Sequence, residues 1–272
     1  MKLSGATVLL TGATGGLGRA FARALVASGA TLVLTGRRAD ALQPLALELG
    51  ARPLVCDLAD REALAALIGE VGAVDVLVAN AALPASGHLL DLTDDQIDVM
   101  LDVNLRAPIM LARGLAPGMA QRGRGHLAFV SSLAGKAATP RSSIYSATKF
   151  ALRGFALALR EDLRPAHVGV SVLMPGFVSD AGLFADAGIA LPLGVGTRTP
   201  EQVAAALVEA IEHNRAEVTV APALMRLGAA LASVAPGASA TFQRFAGAEK
   251  VANEMVAGQL DKRPASRDPA SN

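Results

Sequence analysis

Short apolar runs alternate along the chain with longer Ala- and Leu-rich segments of helical period, the pattern of a parallel sheet wrapped by helices. Residues 7–10 read as a buried strand, and 16–28 as a helix that places Leu17, Ala20, Phe21, Ala24 and Leu25 on one face. The alternation continues with strands at 31–34, 53–55 and 75–79 and helices at 40–49 and 61–71. One long helical stretch, 94–119, contains Pro108 and leads to a strand at 126–130, a helix at 143–163 and a strand at 168–173. A helix at 200–213 and a strand at 217–220 close the series, and no Ser/Gly/Pro linker divides it.

The pattern predicts a single α/β domain over residues 1–260, with about seven parallel strands and helices on both faces. Two regions break the rhythm. Residues 176–199 mix Gly, Pro and large apolar residues without a period, which suggests a functional lid. Residues 221–258 carry Leu224, Met225, Leu227 and Leu231 at helical spacing ahead of Pro236-Gly237. The polar stretch 261–272 reads as a loose tail.

Composition narrows the partners. A chain of 272 residues, 52% hydrophobic and 3% aromatic, can bury a sizeable core, so whole-chain disorder is excluded. A net charge of +1 with interspersed signs disfavours nucleic acid. Cys56 stands alone, which rules out an intrachain disulfide and reads as a small buried hydrophobe. His88, His126, His167 and His213 show no metal-ligand spacing, and no metal is expected. Met1-Lys2-Leu3-Ser4-Gly5 lacks the apolar run of a signal peptide, and no apolar run spans a bilayer, so a cytoplasmic location is the default expectation.

Between the first strand and the first helix lies Thr11-Gly12-Ala13-Thr14-Gly15-Gly16-Leu17-Gly18. In a Rossmann-type fold this turn brings backbone close to a dinucleotide pyrophosphate, and a Cβ would block the approach. The helix N-terminus then offers N–H groups and a favourable dipole to the phosphates. A P-loop is disfavoured because the Gly-Lys-[Ser/Thr] ending is missing. The second strand ends in Thr35-Gly36-Arg37-Arg38, where a carboxylate would hold the ribose of NAD. Arg37 and Arg38 instead offer guanidinium groups to a 2′-phosphate, which points to NADP(H); the alternative is a pair of solvated surface arginines.

Tyr145 and Lys149 are four residues apart on an expected helix, one turn apart on one face. A lysine cation beside a phenol favours the phenolate, which is what a tyrosine acid/base needs near neutrality. The alternative is a structural tyrosine with a chance lysine neighbour. Ser131-Ser132 follows the fifth strand at the carboxyl edge of the sheet, where a hydroxyl can bond a substrate oxygen or simply cap a helix.

These residues resemble the short-chain dehydrogenase/reductase family from about Leu3 to Val220: Thr11, Gly12, Gly16 and Gly18 meet TGxxxGxG, and Tyr145 and Lys149 meet YxxxK. The resemblance implies Tyr145 as acid/base, Ser132 as the substrate-polarising serine and Asn104 as support for a proton-relay water. Lys149 would also hold the nicotinamide ribose. The implied cofactor-binding positions begin with Gly12, Thr14, Gly16, Leu17 and Gly18, then Arg37 and Arg38. Asp57, Leu58 and Asn80 follow on the adenine side, and Pro175, Gly176 and Val178 beside the nicotinamide. Two departures are plain: Ala79-Asn80-Ala81-Ala82 stands for Asn-Asn-Ala-Gly, and Ser179-Asp180 occupies the place of the usual threonine.

The expected function is NADP(H)-dependent interconversion of a carbonyl and an alcohol. Phe177, Leu183, Phe184, Ile189 and Leu191 suggest an apolar small-molecule or acyl substrate. A 3-oxoacyl thioester reductase is the alternative within the family, and a non-catalytic NADP(H)-sensing protein the alternative outside it. Residues from Ala221 onward, with Arg215 and Arg226 nearby, also suit peripheral membrane contact. The resemblance favours a homodimer or homotetramer built on the helices of Asn104 and Tyr145.

Overall fold

The structure is a computed structural model that describes residues 1–84, 87–180, 196–245 and 248–259. Seven strands form one parallel sheet: β1 (Thr7–Thr11), β2 (Thr31–Gly36), β3 (Arg52–Val55), β4 (Val76–Ala79), β5 (Gly125–Val130), β6 (Val168–Pro175) and β7 (Glu217–Val220). Their order is β3-β2-β1-β4-β5-β6-β7. The order reverses between β1 and β4, which opens a crevice at the carboxyl ends of those strands.

The strands read as continuous apolar runs because both faces are covered. Leu9, Leu77, Leu127 and Phe129 point to one side, where α3 (Arg61–Glu70), α5 (Ala107–Gln121) and α6 (Ser143–Leu163) contribute Leu67, Leu111 and Leu152. Val8, Leu10, Val76 and Val78 point to the other. There α1 (Gly16–Ala27), α2 (Ala39–Leu49) and the helix Pro200–Glu212, here α7, contribute Phe21, Leu42 and Val203. Adjacent residues of one strand thus serve two cores, as a two-residue period requires. In α1 the inward face is Gly18, Phe21, Ala22 and Leu25, so Leu17, Ala20 and Ala24 sit at its margin rather than its centre.

Side chains fix the helix starts that frame the crevice. Asp60 accepts from Glu62 and Ala63 N–H at 2.9 and 3.0 Å to begin α3, and Thr199 forms a capping box with Gln202 at α7.

The long helix expected at 94–119 is broken. α4 (Asp94–Leu101) passes through a π-helical turn, Asp102–Arg106, before α5 resumes. Pro108 lacks the N–H that a regular α-helix would use there, and the wider turn absorbs the mismatch. Beyond β7 the chain forms α8 (Ala223–Val234), α9 (Pro236–Phe245) and α10 (Ala248–Gln259). The lid residues Leu183, Phe184, Ile189 and Leu191, and the stretch 261–272, lie outside the described residues.

Candidate active site

The turn after β1 is tight enough to exclude any side chain at two positions. A Cβ on Gly18 would stand 2.1 Å from the Gly12 carbonyl oxygen, and one on Gly12, whose φ is +64°, would stand 2.8 Å from Ala81 Cα. The Gly15 cap of α1 makes no side-chain hydrogen bond, and the first turn of the helix holds no acid. An anion approaching there meets backbone N–H groups and a positive dipole end, so this cradle fits a dinucleotide pyrophosphate.

Asn80, after β4, braces the same turn. Its Nδ2 donates to the Thr11 and Gly12 carbonyls at 3.0 and 3.2 Å, while Thr11 Oγ1 accepts from Asn80 and Ala81 N–H, each at 3.0 Å. The adenine-side position of the family pattern is therefore, in this chain, also a strut for the glycine turn. Thr11 was legible only as part of a motif; its hydroxyl as a double acceptor required the parallel pairing of β1 with β4.

At the end of β2, Thr14 Oγ1 lies 3.5 Å from where a Gly36 Cβ would stand. Arg37 and Arg38 are exposed and, among the described residues, make no ion pair. After β3, Asp57 is exposed and accepts from Ala59 N–H at 3.0 Å, with Leu58 buried beside it. Burial raises the Cys56 thiol to about 11, reinforced by Asp57 and Asp60, which makes it a poor nucleophile and supports the core reading.

The residues expected to transfer the proton converge at the carboxyl ends of β5 and β6. Ser132 follows β5 and caps a short 3₁₀ turn, Leu133–Gly135, its Oγ accepting from Ala134 N–H at 3.2 Å. The same hydroxyl is hydrogen-bonded to Tyr145, so capping does not take it away from the tyrosine. Lys149, 2% exposed, lies one turn further along α6, its Nζ 5.5 Å from the Tyr145 ring centroid and donating to the Val130 carbonyl at 3.0 Å.

The electrostatics differ from the expectation drawn from spacing. Burial raises the Tyr145 phenol above its ordinary value, with the Ser132 hydrogen bond pulling the other way. The ammonium of Lys149 is itself desolvated and brought down to about 8. A lysine that is short of water offers its neighbour less charge than helical spacing alone suggests.

Two neighbours of the expected set hold α6 in register. Ser131 Oγ donates to the Lys149 carbonyl at 2.9 Å, and a Cβ on Gly135 would stand 2.8 Å from that same oxygen. Asn104, fully buried in the π-turn, accepts from Leu83 N–H at 2.7 Å and donates to the Leu83 carbonyl at 3.0 Å. Its side chain thus ties the π-turn to the loop after β4.

Pro175 ends β6, and a Cβ on Gly176 would meet Ala221, Leu133 and Met225 at 2.9, 3.2 and 3.6 Å. Val178 is buried and bridges to Arg198. The Ser179 N–H donates to the Arg198 carbonyl at 3.0 Å, and Arg198 N–H to that of Phe177 at 3.0 Å. Asp180 stands exposed with φ of +57°.

Three residues beyond the expected set tie this edge together. Glu217 on β7 pairs with Lys136 and with Arg153, each at 2.5 Å. Burial alone would raise its carboxyl, but hydrogen bonds from Lys136 and Arg153 outweigh it and hold the group below its usual range. Their separation of 81 positions in sequence hid the triad from any local pattern.

Known proteins share this plan. The short chain dehydrogenase family pattern matches residues 6–188. Dehydrogenase/reductase SDR family member 7B of Xenopus tropicalis is 34% identical over 256 residues, covering 86% of this chain and 83% of that protein. Ketoacyl reductase HetN of Nostoc sp. is 36% identical over 227 residues, covering 80% and 79%. A metagenomic short-chain oxidoreductase solved in complex with NADP superposes with a TM-score of 0.69 at 33% identity, over 82% of this chain and 99% of that one. The family match over residues 6–188 and a relative 34% identical across most of both chains show that the chain belongs to the short-chain dehydrogenase/reductase family and is an oxidoreductase using NAD(P)(H).

Proposed function

We propose that this enzyme interconverts a carbonyl and an alcohol on a largely apolar small-molecule or acyl substrate, with NADP(H) as the redox partner and Tyr145 as acid/base. The observation that carries the reading is the Tyr145 hydroxyl hydrogen-bonded to Ser132 beside the desolvated Lys149, at the sheet edge that also holds the glycine cradle. A bound reduced nicotinamide supplies the hydride that reaches the carbonyl carbon. Ser132 donates to the carbonyl oxygen and holds it in place as negative charge develops. Tyr145 gives that oxygen its proton, so the product is the alcohol, and the phenolate left behind is supported by Lys149. Alcohol oxidation is the same sequence reversed.

Gly12, Gly16, Leu17 and Gly18 would take the pyrophosphate, and Thr14 the adjoining ribose side. Asp57, Leu58 and Asn80 would face the adenine, and Pro175, Gly176 and Val178 the nicotinamide. Arg37 and Arg38 would take the 2′-phosphate. Their exposure, the lack of a carboxylate at the end of β2 and the NADP-bound structural relative support NADP(H). Tyr145→Phe is expected to lower turnover of a ketone panel by at least about a hundredfold while NADPH still binds; full activity of this variant would overturn the assignment. Arg37→Asp should weaken NADPH much more than NADH, and equal losses would return Arg37 to an ordinary surface role.

A 3-oxoacyl thioester is the second reading of the substrate, favoured by the ketoacyl reductase relative. Parallel assays with a simple apolar ketone and a 3-oxoacyl pantetheine thioester separate the two by their kcat/KM.

A further inference from the structure

Helix α8 has one face that the described molecule leaves bare. Leu224, Leu227, Leu231 and Val234 are 68%, 60%, 55% and 80% exposed. Their spacing puts them on one stripe about 15 Å long. The opposite face is packed: Ala229 and Ala232 are buried, Met225 reaches Gly176, and Ser233 Oγ donates to the Lys136 carbonyl at 3.3 Å. Met225, expected from sequence on the apolar stripe, therefore belongs to the inner face. Leu133 and Lys136 lie in and just after the turn that follows Ser132, so α8 rests on the active-site edge with one side and offers leucines to solvent with the other.

The charge pattern says what meets those leucines. From Val218 through Ala248 the sequence contains no Asp, Glu or Lys, and its only charges are Arg226 and Arg244. Both are exposed, and among the described residues neither makes an ion pair. A self-complementary contact between two copies would set these like charges near one another with no carboxylate in the segment to answer them. A sheet of anionic headgroups answers them directly, and the apolar stripe then enters the interface. Among the described residues no helix is long and apolar enough to cross a membrane. At 12 residues, α8 suits a position in the plane of the surface.

We propose that α8 docks this enzyme on the surface of an anionic phospholipid bilayer, the leucine stripe among the upper acyl segments and Arg226 among the phosphates. The active-site edge is thereby held close to substrates dissolved in the lipid, a clause that rests on the function proposed above; the docking does not.

The test is co-sedimentation of the full chain with vesicles of phosphatidylcholine plus phosphatidylglycerol, against phosphatidylcholine alone. Binding to the anionic vesicles is expected, at least tenfold weaker for the combined Leu224→Ser, Leu227→Ser and Leu231→Ser variant. For Arg226→Gln it should be about fivefold weaker at low salt. Circular dichroism and NADPH turnover of a soluble ketone by the serine variant check that the body is intact; if it fails to fold, Leu227→Ser alone and Arg226→Gln carry the test. No binding by the full chain, or binding indifferent to these substitutions, overturns the proposal. So does a serine variant that splits an oligomer in a protein that never binds vesicles, which would assign the stripe to a second copy. A wild-type chain that binds vesicles but turns over no carbonyl would refute the function proposed above and leave the docking standing.

Discussion

His126 sits inside the sheet as a neutral ring, 1% exposed, its Nε2 2.8 Å from Ser171 Oγ. Burial brings it down from the ordinary 6.5 to about 3, helped by the N-terminal ammonium and Arg160. The unfolded chain binds a proton below pH 6.5 while the folded one does not, so this stability is complete above 6.5 and drains away as pH falls toward 3. Between pH 7 and pH 4.5 the wild type should lose about 2.5 kcal/mol on this account. Urea midpoints for His126→Gln should show a shallower decline over that interval; an unchanged slope would assign the acid sensitivity elsewhere. Two glycines give a paired prediction at the same scale. Gly18→Ala forces a Cβ against backbone and should cost about 1–3 kcal/mol together with dinucleotide binding. Gly154→Ala, in α6 with nothing within 4 Å, should raise stability by about 0.5–1 kcal/mol, read as melting temperature. At this scale the sequence disclosed which side chains meet, since four-residue spacing brings Lys149 to Tyr145. It did not disclose their charge states, because desolvation depends on what packs around Lys149 and His126 from distant segments.

Strands and helices were legible through their periods, and their joints were not. β6 runs two residues past its expected end, to Pro175, because Met174 and Pro175 pair with Thr219 and Val220. The π-turn at Asp102–Arg106 was hidden in what reads as one helical stretch, since hydrophobic spacing does not register one wide turn. Asn104→Ala should strand both polar groups of Leu83 in the interior and cost about 2–4 kcal/mol, seen in denaturant midpoints. The Glu217 triad joins β7, α6 and the turn after Ser132. Glu217→Gln would leave Lys136 and Arg153 facing one another and should cost about 1–3 kcal/mol, the range between an exposed and a buried pair. Adding Lys136→Met should restore part of that loss; no recovery would mean that the strand edge, not the charge, carries it.

The order of the whole sheet follows from connections that keep one hand: β1 to β3 step outward one way and β4 to β7 the other, so every motif at a strand end is delivered to one edge. That is why residues from Thr11 to Gly176 could be grouped from sequence once the fold class was read. The outer surface of α8 could not be, because exposure at Leu224 or Leu231 is settled only when the rest of the chain has chosen its contacts. Binding should be visible as stability of the whole molecule. NADPH at a hundred times its Kd should add about 2.7 kcal/mol, with a smaller melting shift from NADH at equal concentration. Equal shifts would argue against discrimination at Arg37 and Arg38.

The chain contains one tyrosine and no tryptophan. Its near-ultraviolet emission therefore originates in a single ring, the one hydrogen-bonded to Ser132 beside Lys149. Unlabelled protein thus reports optically on the proposed reaction centre. Ionisation of the phenol can be followed by absorbance without a second tyrosine beneath it, and dinucleotide binding by quenching of one emitter at a known place.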